Sequence, residues 1–155
     1  MAEAPARIHV GVLDGPLDPA AWLAEITPHD DTGAIVSFSG YCRGENGRIT
    51  ALELEHYPGM AEAEMRRIAD AAAARWPLHG ILAVHRTGVV AVGEPIVLVA
   101  AGSAHRDAAF EAARYLMDFL KTDAPFWKRE HLSDGTKGAW IEAKTADDAA
   151  RDRWA

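Results

Sequence analysis

The chain has 155 residues, a formal net charge of −7 and 49% hydrophobic residues, enough for one domain with a real core and too apolar for a disordered segment. Alanine supplies 31 positions, the longest unbroken apolar run is Ile96 to Ala101, and Cys42 is the one cysteine, so a membrane helix of roughly 20 apolar residues, a disulfide framework and a multi-cysteine metal site are excluded. The acidic balance argues against nucleic acid as the main partner, because phosphate binding needs a basic footprint.

The start MAEAPARIHV carries no basic segment followed by an apolar stretch, which points to the cytoplasm. RIHVGVL (7–13) alternates as a strand, and Asp18-Pro19 signals the cap and first turn of a short helix to about Ile26. GAIVSFSGYC (33–42) and TALELEHY (50–57) predict strands joined by a mobile, glycine-bearing loop from Arg43 to Arg48, with Leu52 and Leu54 facing the core and Glu53 and Glu55 facing out. Residues 59–76 predict a helix with Ala61, Met65, Ile68, Ala72 and Trp76 inward, stopped by Pro77. ILAVHRTG (81–88) and PIVLVAAG (95–102) predict two further strands, the second apolar enough to be central. Ser103 is expected to cap a long helix to about Lys121, with Ala109, Ala113, Leu116, Met117 and Leu120 inside. FWKRE (126–130) and GAWIEA (138–143) then finish the sheet around a turn at Asp134-Gly135, and 145–155 reads as a polar helix or a frayed tail beyond a domain of residues 1–144.

Two places carry unusual chemistry. In SAHR (103–106), His105 and Arg106 occupy the start of a helix, where the dipole and the unpaired N–H groups already present positive charge. An anion relieves that conflict; the plainer reading is neutralisation by Asp107 and a nearby carboxylate. No Walker or Rossmann glycine pattern is present, so an ordinary nucleotide site is not indicated. The second place is KTDAPFWKRE (121–130), which brings Lys121 and Lys128 together across a turn, beside Phe126 and Trp127. The chain holds 12 arginines but four lysines, all after residue 120, and a lysine, unlike an arginine, can exchange its proton near neutral pH. A lysine at a helix C-terminus is also favoured by the dipole alone. His105 and Lys121 are 16 positions apart, about 24 Å along a straight helix, so they serve separate sites or meet across a symmetric dimer.

The runs FSGYCR, LELEHYPGMAEAEM, HRTG, SAHR and KTDAPFWKRE, in this order and spacing, closely resemble the large, catalytic subunits of molybdopterin synthases, the MoaE family. The resemblance covers about residues 7–144. It implies an α+β fold, an α/β hammerhead with an additional antiparallel sheet, in a single domain. It implies a sulfurtransferase that converts cyclic pyranopterin monophosphate to molybdopterin, drawing sulfur from the thiocarboxylated C-terminal Gly-Gly of a small ubiquitin-like subunit. It also implies a central dimer of two large subunits within a heterotetramer. By the same resemblance Lys121 and Lys128 are the catalytic lysines, Arg43 and Phe38 belong to the substrate pocket, and His105 and Arg106 come from the neighbouring large subunit. Met117 and Glu130 line or support the pocket, and Lys144 stands where many members carry an arginine. The loop after Arg43 reads GENG, unlike the asparagine-rich form of some relatives. No bound metal or cofactor is expected of this chain, and Cys42 is read as core rather than as a sulfur carrier. A phosphometabolite-binding enzyme of other chemistry and an inert docking module for a ubiquitin-like protein are the competing readings; an inert module has no reason to keep the basic helix start and both lysines.

Overall fold

The computed structural model describes residues 4–141 and 145–155, with side chains again from 149. In chain order the elements are β1 (Arg7–Leu13), α1 (Pro19–Leu23), β2 (Ala34–Tyr41), β3 (Ile49–His56), α2 (Met60–Arg75), β4 (Leu78–Arg86), β5 (Gly88–Ala91), β6 (Pro95–Ser103), α3 (Arg106–Thr122), β7 (Phe126–Leu132) and α4 (Thr145–Asp152). Among the described residues they build a four-stranded sheet in the order β1-β4-β6-β2 and a three-stranded antiparallel sheet in the order β5-β3-β7. This is the α+β arrangement with an additional antiparallel sheet that the family resemblance implies; residues 126–130, expected to finish a single sheet, lie in the second one. No described helix is long and apolar enough to cross a membrane.

The central strands are apolar on both faces because both faces are covered. Ile81 and Ala83 of β4 and Val97, Val99 and Ala101 of β6 pack under α2 and α3 with Met65, Ile68, Ala72, Leu116 and Leu120. Their alternate neighbours Leu82, Val84, Leu98 and Ala100 pack on the other face with Leu17, Ile26 and Trp22 around α1. The period of two thus sorts one run into two cores. Asp18 accepts from the Ala20 N–H at 3.1 Å and Pro19 opens α1, while Trp76, forced into an extended conformation before Pro77, ends α2.

Several elements differ from the sequence expectation. The strand expected from residue 81 begins at Leu78 and ends at Arg86, and a separate β5 follows it. Gly88, with φ of 81°, lets the chain leave one sheet and enter the other. Ser103 is not the cap of α3: it is the last residue of β6, buried, and its hydroxyl donates to the Pro77 carbonyl at 2.8 Å. His105 takes the cap position without any side-chain bond to the helix start, which leaves Arg106 as the first helical residue. The stretch expected as a strand from 138 forms no continuous ladder with β7: the described residues pair through isolated bridges at Lys137 and Ile141 and the Gly138 N–H bond to the Glu130 carbonyl at 2.8 Å, and residues 142–143 of that expectation lie outside the described residues. The tail from 145 forms α4 and is held on α3. Arg151 bonds to Asp123 at 3.1 Å, the Trp154 indole N–H donates to Asp118 at 2.6 Å, and the Trp154 ring stands edge-on to Trp76 and Tyr115.

Candidate active site

Residues of both sheets and of the C-terminal end of α3 enclose a cleft of about 240 Å³. The antiparallel register of β3 and β7 sets Leu52 opposite Glu130, Leu54 opposite Lys128 and His56 opposite Phe126, so alternate residues of β7 turn one face toward the cleft. Lys128 is held there by paired backbone bonds with Ile141 of 3.1 and 2.7 Å. Helix α3 contributes Met117, Leu120 and Lys121, whose spacing follows the helical repeat. On the opposite wall β2 contributes Phe38, Gly40 and Tyr41. A Cβ at Gly40 would stand 2.8 Å from Val97 Cγ1 and 3.4 Å from the Phe38 ring, so glycine is what lets these two groups close on the strand.

Six of the residues singled out from the sequence therefore share one cleft: Phe38, Arg43, Met117, Lys121, Lys128 and Glu130. His105 and Arg106 do not line it. They are exposed at the other end of α3, and neither makes an ion pair within the described residues, so the neutralisation by Asp107 and a neighbouring carboxylate is not formed. Lys144 lies outside the described residues. Cys42 is buried beside Leu54 and Val90, and burial pushes its thiol above its ordinary pKa, which suits a core residue.

Charge in the cleft is arranged unevenly. Arg48 donates from both terminal nitrogens to Glu130 at 3.1 Å, a bidentate pair, and it also binds Glu45. Glu45 reaches Arg43 at 3.8 Å. Both carboxylates lining the cleft are thus engaged by arginines. Lys121 is exposed and forms no ion pair with a described residue, so its charge faces the cleft uncompensated. The turn that carries Arg43 is closed by the Ile49 N–H on the Gly44 carbonyl at 3.0 Å and has left-handed conformations at Glu45 and Asn46. The segment expected as a mobile loop is a turn tied to β7 through Arg48.

Sequence reading gave no role to His85 or Arg48. His85 lines the cleft and its ring stacks on Phe126 with centroids 3.8 Å apart. Burial, reinforced by the charges of Lys121 and His56, pushes the imidazole down to about 4, against the bond to the Arg86 carbonyl. A histidine continuing the inward register of Ile81 and Ala83 was the available signal. On the far face of the smaller sheet Glu53 accepts from Arg129 at 2.9 Å and from His131 at 2.8 Å; those bonds hold its carboxyl below the usual range. Among the described residues no group of three or more His, Cys, Asp or Glu side chains is arranged to hold a metal.

The family model described as MoaE protein matches residues 12–123. The chain belongs to the MoaE family. A molybdopterin synthase catalytic subunit from Mesorhizobium japonicum is 60% identical over 88% of this chain and 87% of its own length. The molybdopterin synthase catalytic subunit of Escherichia coli is 47% identical over 86% of this chain and 87% of its own. Among solved structures, the molybdopterin cofactor biosynthesis protein E of Burkholderia multivorans superposes with a TM-score of 0.78 at 40% identity, covering 97% of each chain. The MoaE family match runs from the end of β1 through α3 and so includes Phe38, Arg43, His85, His105, Arg106, Met117 and Lys121, while Lys128 and Glu130 of β7 lie just beyond it.

Proposed function

We propose that this chain is the catalytic subunit of a molybdopterin synthase, which converts cyclic pyranopterin monophosphate to molybdopterin with sulfur from the thiocarboxylated C-terminal Gly-Gly of a small ubiquitin-like subunit. The observation that carries the reading is the meeting of Lys121 and Lys128 with Arg43, Phe38, Met117 and Glu130 in one cleft, in a chain whose relatives bear that name. The cleft is lined by apolar side chains as well as by cations, which suits an anionic Gly-Gly terminus without side chains.

Attaching sulfur to the pterin and later releasing the small subunit with water both need proton transfer, and the release passes through a tetrahedral acyl centre that carries negative charge. In this reading Lys121 and Lys128 supply those functions. Arg43 meets the cyclic phosphate, Phe38 and Met117 form apolar wall, and Glu130, gripped by Arg48, holds the β7 side in register. His105 and Arg106 are assigned to the cleft of a second copy in a two-fold dimer, with one small subunit on each large one, and Lys144 adds to anion binding. The cytoplasm is the proposed compartment, and no metal or cofactor of the chain's own takes part.

The test is incubation of the purified chain with cyclic pyranopterin monophosphate and thiocarboxylated small subunit, with dithiolene formation as readout. Stoichiometric molybdopterin supports the reading. Binding of the small subunit without any dithiolene product overturns it in favour of a docking module.

A further inference from the structure

Strand β4 places one titratable side chain in the cleft, that of His85. Its ring lies nearly parallel to Phe126, at 15°, and Phe126 is in turn stacked against His56 with centroids 6.1 Å apart, so the plane of the imidazole is fixed. Nδ1 sits 2.8 Å from the Arg86 carbonyl oxygen. A carbonyl can only accept, so Nδ1 carries the proton and Nε2 keeps its lone pair. No described residue bonds to Nε2, yet it is not sealed off: the buried side-chain nitrogen or oxygen without a partner among the described residues is Arg86 Nε. The lone pair is therefore open to the cleft. The charged and titratable groups around it are Lys121 from α3, Lys128 and Glu130 from β7, His56 from β3, and Arg43 and Glu45 from the turn after β2.

We propose that His85 is a positioning residue for Lys121: its Nε2, unbonded in this structure, is the acceptor that the Lys121 ammonium, lining the same cleft, reaches when it turns inward, and the bond holds that side chain at the cleft wall without cancelling its charge. A carboxylate in that place would hold the lysine too, but would neutralise the field that an anionic centre needs. A neutral ring does not. Burial and the neighbouring cations keep His85 neutral down to about pH 4, so the arrangement persists across the physiological range. The inference rests on the reading of this cleft as the sulfur-transfer site.

Three substitutions in the assembled synthase separate the acceptor from the packing. His85→Phe keeps the stack on Phe126 and removes both nitrogens. His85→Asn keeps a donor near the Arg86 carbonyl and lacks an acceptor at the Nε2 position, whereas His85→Gln restores one there. The first two lower kcat about tenfold or more with KM changed less than about twofold, and His85→Gln recovers about a third or more of the wild-type rate. A second readout needs no turnover: competitive acetylation followed by mass spectrometry labels Lys121 about threefold faster in the Phe and Asn variants than in the wild type, with Lys137 unchanged as the reference. Wild-type kcat and wild-type labelling in the Asn variant overturn the inference, as does a Gln variant no better than Asn. If the Phe variant folds poorly, the Asn and Gln pair decides alone. If the wild type yields no dithiolene at all, the assignment of the cleft fails while the labelling still decides whether His85 holds Lys121.

Discussion

The two ends of α3 carry basic residues for different physical reasons. At the C-terminal end Lys121 sits where the helix dipole favours a cation and lines the cleft with Phe126, Lys128 and His85. At the N-terminal end His105 and Arg106 sit where the dipole disfavours them, exposed, with no side-chain cap and no ion pair among the described residues. The 17 residues of the helix span about 25 Å. The C-terminal end has a cleft and a cation that the dipole favours; the N-terminal end has exposed donors and a basic pair that the dipole disfavours, and neither His105 nor Arg106 lines that cleft. The difference teaches that the basic pair lacks an anionic partner among the described residues, which is what the proposed site shared between two copies supplies.

Substitutions at the two ends should differ in kind. Lys121→Ala should reduce turnover about a thousandfold, around 4 kcal/mol of lost transition-state stabilisation, while thermal unfolding stays at the wild-type midpoint because the side chain is exposed. Lys121→Arg should be nearly as poor, since charge is kept but proton exchange is lost. Near-normal turnover in either would break the distinction between the ends. Leu116→Ala, at a fully buried position in the middle of the helix, should cost about 2–5 kcal/mol in urea unfolding and weaken both ends together.

The C-terminal end is also the acid-sensitive one. The folded protein holds His85 down at about 4, from an ordinary 6.5, so the unfolded chain binds the extra proton first as the pH falls. Stability contributed by the neutral ring is complete above about pH 6.5 and is lost on acidification toward pH 4, by at most about 3 kcal/mol. His85→Phe should lack that part of the acid loss when unfolding free energies are compared across the same window. The smallest effect belongs to the N-terminal end. His105→Ala or Arg106→Ala should raise KM for the pterin phosphate about tenfold, near 1.4 kcal/mol, leave small-subunit binding unchanged, and reduce the salt dependence of kcat/KM.

The layered core was legible because its signals are local. The alternation of Ile81 and Ala83 with Leu82 and Val84, the Asp18-Pro19 start and the Pro77 stop each depend on neighbours in sequence. Ser103 misled because serine is a common cap, whereas its partner, the Pro77 carbonyl, lies 26 positions away. Strand β5 escaped because its four residues, Gly88–Ala91, carry too little periodicity to stand apart from the HRTG corner. Met117 reads as core from spacing alone, yet it faces the cleft as well as the core edge. Of the candidate site, the lysines stood out by their scarcity in an arginine-rich chain and the basic pair as a departure from the dipole rule, and the family resemblance added Arg43, Phe38, Glu130, Lys144 and the pocket role of Met117. The bidentate grip of Arg48 on Glu130 spans 82 positions, and the stack of His85 on Phe126 joins different sheets. Such contacts exist only once the chain has folded.

The shared site is tested most directly by mixing two defective chains. One carries Lys121→Ala and the other both His105→Ala and Arg106→Ala, and dimers are allowed to exchange. If the two ends of α3 from different copies complete each site, every mixed dimer holds one site with all the defects and one with none. With pterin phosphate held well below the wild-type KM, where both parent variants are nearly inactive, random exchange makes half of the dimers mixed, so dithiolene formation should return to about a quarter of the wild-type rate, by counting sites in a two-fold dimer. No recovery above the parent variants, with exchange verified by mass, would contradict the shared site and leave the two ends of α3 as independent anion-binding positions.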